Sequence, residues 1–193
     1  MPRFVFLRHG EPQERGSVPN VQRRLTDLGE TQARNIGQVL QESGFEPDLV
    51  IFSDARRTEE TATIIVATFP FNIQFVEFPG LRKIVATREE YDLVVKPIED
   101  ELGDTAPFSE YLLRDTDRVL MKQANCRARE LCDLAAGRNA QQVLVVGHHL
   151  NQNAIGIALS DGESDEFFMG PFFGHAEGFM VDDQGRVTPV KRT

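Results

Sequence analysis

Three apolar runs, each breaking abruptly into a polar tip, constrain this fold more than any other feature. Phe4-Val5-Phe6-Leu7 leads into Arg8-His9-Gly10-Glu11. Asp48-Leu49-Val50-Ile51-Phe52 ends in Ser53-Asp54-Ala55-Arg56-Arg57, and Gln142-Val143-Leu144-Val145-Val146 ends in Gly147-His148-His149. An unbroken apolar run of this length predicts a strand buried on both faces, as in a parallel sheet covered by helices. Ligands of such sheets bind just beyond the carboxyl ends of the strands. If the three strands are parallel neighbours, their tips bring arginines and histidines together. Arginine offers a permanent charge and a fork of donors suited to phosphate. Histidine can act as nucleophile or proton carrier at neutral pH. The constellation is a cationic pocket with a candidate nucleophile, as phosphoryl transfer requires.

Four blocks carry a resemblance to a known family. Leu7-Arg8-His9-Gly10-Glu11 resembles the signature of the histidine phosphatase superfamily, also called phosphoglycerate mutase-like. The blocks from Leu25 to Ala33, from Ser53 to Ala62 and from Val143 to His148 resemble the next three, in the family's order. They span residues 4 to about 150, with the poorest match between roughly 79 and 115. The resemblance implies a three-layer α/β/α sandwich with a mostly parallel sheet. It also implies a metal-independent phosphatase that needs no cofactor and works through a phosphohistidine on His9. Arg8, Arg57 and His148 would bind and stabilise the phosphoryl oxygens, with His149 a further phosphate contact. Arg57, rather than Arg56, fits the family's register. The compact phosphohistidine phosphatase branch is the nearest match. A phosphoglycerate mutase-type phosphotransferase and a catalytically silent phospho-ligand binding module remain as alternatives.

Composition narrows the partners. The 193 residues are expected to form one domain, 1–193, with a candidate lid insertion at 79–108. The net charge of -9 argues against general binding to nucleic acid or an anionic membrane. It permits a small phosphorylated metabolite or a phosphoprotein as partner, because a local arginine cluster can reverse the potential inside a cleft. No apolar stretch approaches the roughly 20 residues of a membrane span. Pro2-Arg3 leads straight into the first strand, unlike a signal peptide, so the expected location is cytoplasmic. Cys126 and Cys132 are expected to be buried, unbonded thiols on one helix, and no spacing of cysteine or histidine resembles a zinc site.

Along the chain, residues 12–24 read as a loop beyond the candidate nucleophile. Arg15, Arg23 and Arg24 either contact substrate or, the leading reading, are solvated surface charges; Arg15 stands where the family often has an asparagine. Thr26 is a predicted cap for a helix to Ser43, stopped by Gly44, with Leu28, Ile36, Val39 and Leu40 as its core face. A helix is expected from Arg57 to Thr68, a strand from Ile73 to Phe78 and a short helix from Arg88 to Val95. One long helix should run from Ser109 to Ala136. Asn151 is a predicted cap for a helix to Leu159, and a hairpin should close the chain from Gly174 to Val190. His175 reads as structural.

The proton donor is the gap. An alkoxide leaves poorly unless protonated. Many family members place a glutamate in a block shaped like Leu-x-Glu-Ile, where this chain reads Leu81-Arg82-Lys83-Ile84. Glu77, Glu89, Glu90 and Asp54 are the candidate substitutes; otherwise the substrate carries a good leaving group.

Overall fold

A computed structural model describes residues 1–16, 18–83, 85, 87–103, 106–160, 165–168 and 173–192. The three apolar runs become β1 (Arg3–Arg8), β2 (Leu49–Phe52) and β4 (Gln142–Gly147); β3 is Gln74–Glu77. The hairpin expected at the end of the chain forms β5 (Gly178–Val181) and β6 (Val187–Val190). These strands make one sheet in the order β3-β2-β4-β1-β5-β6. Neighbours from β3 to β1 pair in parallel, while β1–β5 and β5–β6 are antiparallel. Register aligns the tips: Arg8 lies opposite Gly147, and Phe52 opposite Val146.

Side chains alternate across the sheet, and both faces are covered. Phe4, Phe6, Leu49, Ile51, Val143 and Val145 join one core cluster; Val5, Leu7, Val50, Phe52, Leu144 and Val146 join the other. The second core is closed by α1 (Asp27–Glu42) and α2 (Arg56–Val66). The first is closed by α6 (Val119–Ala136), α7 (His149–Leu159) and the segment between β3 and α6. That segment holds α3 (Arg88–Glu90), a π-helical turn (Tyr91–Val95), α4 (Lys96–Leu102) and α5 (Phe108–Arg114). A last short helix, α8, is Asp165–Phe168. Each large apolar side chain sealed in these layers stabilises the fold by about 1.5–3 kcal/mol.

Several local expectations need correction. Thr26 caps α1 as expected, accepting from the Gly29 amide at 3.0 Å, but Leu28 is 53% exposed and Gly29, Gln32, Ala33, Ile36, Gly37 and Leu40 face the core. The helix expected from Ser109 to Ala136 is two helices. Asp115 interrupts it, and its carboxylate accepts from the Val119 and Leu120 amides, each at 2.7 Å, to start α6 afresh. Asn151 does not cap α7 but lies inside it. The helix expected to end at Val95 continues to Leu102, because Pro97 sits in the first turn of α4, where its missing N–H costs no hydrogen bond. Cys126 is exposed rather than buried; both cysteines are free.

Candidate active site

The turn after β1 is fixed by close backbone packing. A Cβ on Gly10 would lie 2.5 Å from the Gly29 carbonyl oxygen, and one on Gly29 would lie 2.2 Å from that of Glu11. Only glycine fits either place. The Gly10 amide donates to Thr61 Oγ1 at 3.0 Å, tying the turn to α2. On the other side, Gln152 of α7 donates to the Leu7 carbonyl at 2.6 Å. His9 therefore leaves the strand with its backbone clamped from both layers, and it is 6% exposed.

The tautomer of His9 follows from its partners. Its Nδ1 lies 2.7 Å from the Gly10 carbonyl oxygen, which can only accept, so Nδ1 carries the proton. Its Nε2 receives the Nε–H of Arg57 at 3.0 Å, so the lone pair is on Nε2. Burial, then the neighbouring His148 and Arg57, holds the pKa of the ring well below the ordinary histidine value. His9 is neutral at physiological pH.

Arg57 sits in the first turn of α2, immediately past the tip of β2. Its Nη1 donates to the Asn20 carbonyl at 2.6 Å, and its Nη2 lies 3.4 Å from His148 Nδ1. Burial, followed by repulsion from Arg23, Arg15 and Arg8, lowers its pKa to about 10. Because arginine only donates, His148 Nδ1 accepts and its Nε2 donates to Ser53 Oγ at 3.0 Å. The hydrogen bonds continue from Ser53 Oγ to Thr58 Oγ1 at 2.9 Å. Burial, then Arg57 and Arg8, pushes the His148 pKa down to about 3. Arg8 Nη1 donates to the Phe173 carbonyl at 3.2 Å. The N-terminus of α7, which no side chain caps, opens at the same place.

The structure thus brings Arg8, His9, Arg57 and His148 together. Arg8, His9, His148 and His149 line an inner cavity of 230 Å³, and Arg57 and His148 line the adjoining cleft of 790 Å³. His149 is half-buried there, its pKa lowered to about 3 by burial and then by Arg8. Arg15 and Arg23 line the cleft, Arg15 exposed and Arg23 half-buried. Arg24 and Arg56 instead pair with Glu60 at 2.8 and 3.0 Å, outside the cleft. His175 is also at the site rather than apart from it. Its ring stacks on that of His9 at 5.7 Å between centroids and 30° between planes. Its pKa falls to about 4 through burial and then Arg8.

None of the four expected proton donors is placed for the task. Glu77 and Glu89 are exposed and line neither cavity. Glu90 completes the capping box with Thr87 and accepts from Gln123 at 3.1 Å. Asp54 pairs with Arg82 at 2.8 Å. Lys83 does line the cleft, whereas Ile84 of the same block lies outside the described residues. An acidic residue at the site that sequence reasoning missed is Glu99 of α4. It is half-buried, lines the inner cavity together with His9, and accepts the Tyr91 hydroxyl at 2.6 Å. That hydrogen bond, followed by burial, raises the Tyr91 pKa to about 12, so the phenol keeps its proton. No spacing signal reveals Glu99, because the chain passes through a π turn at Tyr91–Val95 before α4. Among the described residues no group of histidine, cysteine and acidic side chains could hold a metal ion, and no helix is long and apolar enough to cross a membrane.

The chain is 42% identical over 145 residues to the mitochondrial serine/threonine-protein phosphatase Pgam5 of Drosophila virilis. The match takes in 75% of this chain but only 46% of that longer protein. Among solved structures, a mycobacterial glucosyl-3-phosphoglycerate phosphatase complexed with VO3 superposes with a TM-score of 0.65 at 19% identity, covering 100% of both chains. The protein histidine phosphatase SixA complexed with tungstate superposes with a TM-score of 0.63 at 18% identity, covering 99% of this chain and 96% of that one. The family profile of the histidine phosphatase superfamily (branch 1) matches residues 4–171. With the profile matching most of its length, the chain belongs to the histidine phosphatase superfamily.

Proposed function

We propose that the protein is a metal-independent phosphatase acting on a phosphomonoester or phosphohistidine through a covalent phosphohistidine on His9. The observation that carries this reading is the His9 ring itself, held neutral with its proton on Nδ1 and its lone pair on Nε2, beside Arg57. The Nε2 lone pair attacks phosphorus and the bond from phosphorus to the leaving oxygen breaks. Arg8 and Arg57 hold the phosphoryl oxygens and stabilise the charge that gathers on them. His149 completes the phosphate pocket, and His148 joins it when its Nδ1 takes up a proton as the anion binds. The Glu99 carboxyl, anchored on one oxygen by Tyr91, is the group assigned to deliver a proton to the leaving oxygen. Water then attacks the phosphohistidine, Glu99 takes its proton back, and inorganic phosphate leaves with His9 restored. The arginines supply the cationic charge that a metal provides elsewhere. Helix α4, from the expected lid segment, contributes the acid. The cytoplasmic reading belongs to the same proposal.

The test is phosphate release, without added metal, from an aryl phosphate, a phosphohistidine peptide and an alkyl phosphate, with His9→Ala alongside. Release that vanishes in His9→Ala supports the mechanism. Transfer of the phosphoryl group to an added alcohol in place of release would favour the mutase reading. Phosphate binding with no turnover of any substrate would leave a silent binding module.

A further inference from the structure

His175 meets His9 face to face, and the turn that carries it is strained. The ring centroids lie 5.7 Å apart with 30° between planes, an offset stack. His148 meets the same His9 ring edge-on, at 5.2 Å and 70°. Among the described residues the nitrogens of His175 have no hydrogen-bond partner, so its contact with His9 is through the ring face. The next residue, Ala176, is fully buried and holds a left-handed φ of 54°, which glycine adopts freely and alanine only at a cost. Its amide donates to the carbonyls of Arg8 at 3.0 Å and His9 at 3.2 Å. The Arg8 amide donates to the Glu177 carbonyl at 2.9 Å, and Glu177 Oε2 accepts from the Gly174 amide at 3.0 Å. The turn is closed on itself and pinned to the backbone of the nucleophile. Strain persists where the surroundings over-determine it, and here they hold one ring over another.

Formation of the phosphohistidine puts a positive charge on the His9 ring. The Nε2 lone pair becomes the bond to phosphorus, while the electron pair of the broken P–O bond departs with the leaving oxygen. The Nδ1 proton stays, because its partner is the Gly10 carbonyl oxygen, which accepts a hydrogen bond but is no base. The product is a phosphoimidazolium at a place where, behind burial and His148, Arg57 and Arg8 already disfavour positive charge. A neutral π face is a partner that such a ring attracts. Resting on the phosphatase reading, we propose that His175 is a positioning residue whose stacked ring supports the positive charge of phosphorylated His9. His175 is itself neutral: burial, then Arg8, lowers its pKa to about 4, with Arg192 and Arg23 acting the same way and Glu11 opposing them. It lines a cavity of 420 Å³ with Arg8, His9 and Arg57, whereas Glu99 and His148 line the inner one. The stack therefore leaves the side of the leaving group open.

Rapid-quench kinetics with p-nitrophenyl phosphate test the stack in His175→Leu, His175→Phe and His175→Asn. The burst of p-nitrophenol measures phosphorylation of His9, and an alkaline quench preserves the phosphohistidine for counting. His175→Leu should slow the burst by about two- to tenfold, the range for one aromatic pair. Hydrolysis of the phosphohistidine should not slow, so the trapped fraction falls. His175→Phe keeps a π face without a titratable nitrogen and should recover most of the lost rate. Equal losses in the Leu and Phe variants would mean a filled volume only, and recovery by Asn rather than Phe would mean a hydrogen bond; either overturns the proposal. A second readout needs no turnover. Phosphoramidate phosphorylates histidine directly, and 15N NMR then follows the Nδ1 proton of phosphorylated His9. That proton should be lost at lower pH in His175→Leu than in His175→Phe. This pattern without turnover of any substrate defeats the phosphatase reading alone, whereas turnover with the same titration in both variants defeats the stack alone.

Discussion

Arg57 donates its Nε–H to His9 Nε2 at 3.0 Å, so the guanidinium that would grip the phosphoryl group occupies the lone pair that would attack it. A phosphoryl group entering the cavity must therefore exchange this hydrogen bond for new ones: guanidinium to phosphoryl oxygen, and Nε2 to phosphorus. Arg57 also helps to keep His9 neutral, behind burial and His148. Arg57→Ala should lower kcat/KM by about 10²–10³, in line with the loss of one charge-stabilising donor. The remaining activity should show its acid limb closer to neutral pH, because removing a positive neighbour raises the His9 pKa. Histidine NMR titration of the variant measures the shift; an unmoved or lowered His9 pKa would contradict the electrostatic account.

Acid should destabilise the unliganded protein in a defined window. The folded pKa values of His148 and His149 are about 3 and that of His175 about 4, against 6.5 as the ordinary value. Between these limits the unfolded chain binds protons that the folded chain refuses, so stability falls as pH drops below about 6.5 and levels off only below the folded pKa values. Each ring adds at most about 1.4 kcal/mol per pH unit, less where solvent screens it. Thermal melts from pH 7 to pH 4.5 should show Tm dropping steadily, and His175→Asn should flatten the slope. Saturating vanadate should oppose the loss, because a bound anion stabilises protonated rings; an excess of 100 Kd adds about 2.7 kcal/mol.

The sheet and the gathering of Arg8, His9, Arg57 and His148 at its one end were legible because their causes are local. Unbroken apolar runs ending in Arg8-His9 and Gly147-His148 encode buried parallel strands and deliver polar tips to one end. Thr26 and Gly44 announced the ends of α1, and Gly44 does adopt a left-handed φ of 75°. The segment between β3 and α6 was opaque for a physical reason. Its helices are short, and long-range packing decides their register. Glu99 cannot be placed from periodicity alone when the helix passes through a π turn at Tyr91–Val95 and carries Pro97. His175 was hidden too, because nothing near it in sequence reveals that β5 pairs antiparallel with β1 and delivers it to His9.

Glu99→Gln separates substrates by leaving group. Amide in place of carboxyl keeps the Tyr91 hydroxyl satisfied by a carbonyl oxygen but removes the transferable proton. With an alkyl phosphate, kcat should fall by about 10²–10⁴, the usual contribution of a positioned acid. With p-nitrophenyl phosphate, whose leaving group needs no proton, kcat should fall less than about fivefold at the phosphorylation step, read as a burst. Equal losses on both substrates would assign Glu99 a purely structural part. Tyr91→Phe should lie between wild type and Glu99→Gln, since the carboxyl stays but loses its anchor.

Asn151 links α7 to the basic turn that follows β3, and its removal should uncouple stability from phosphate chemistry. Its buried Nδ2 donates to the Leu81 carbonyl, just before Arg82 and Lys83. Asn151→Leu keeps the branching of the side chain and leaves that carbonyl unpaired in the interior, at a cost of about 1–3 kcal/mol. For a chain of this size that corresponds to a drop in Tm of roughly 2–12 °C. The inner site should survive, because His9 is clamped by Gly10, Thr61 and Gln152 rather than by Asn151. Inorganic phosphate affinity should then change less than threefold. Loss of phosphate binding in a variant that remains folded at 25 °C would mean that Asn151 supports the inner pocket itself.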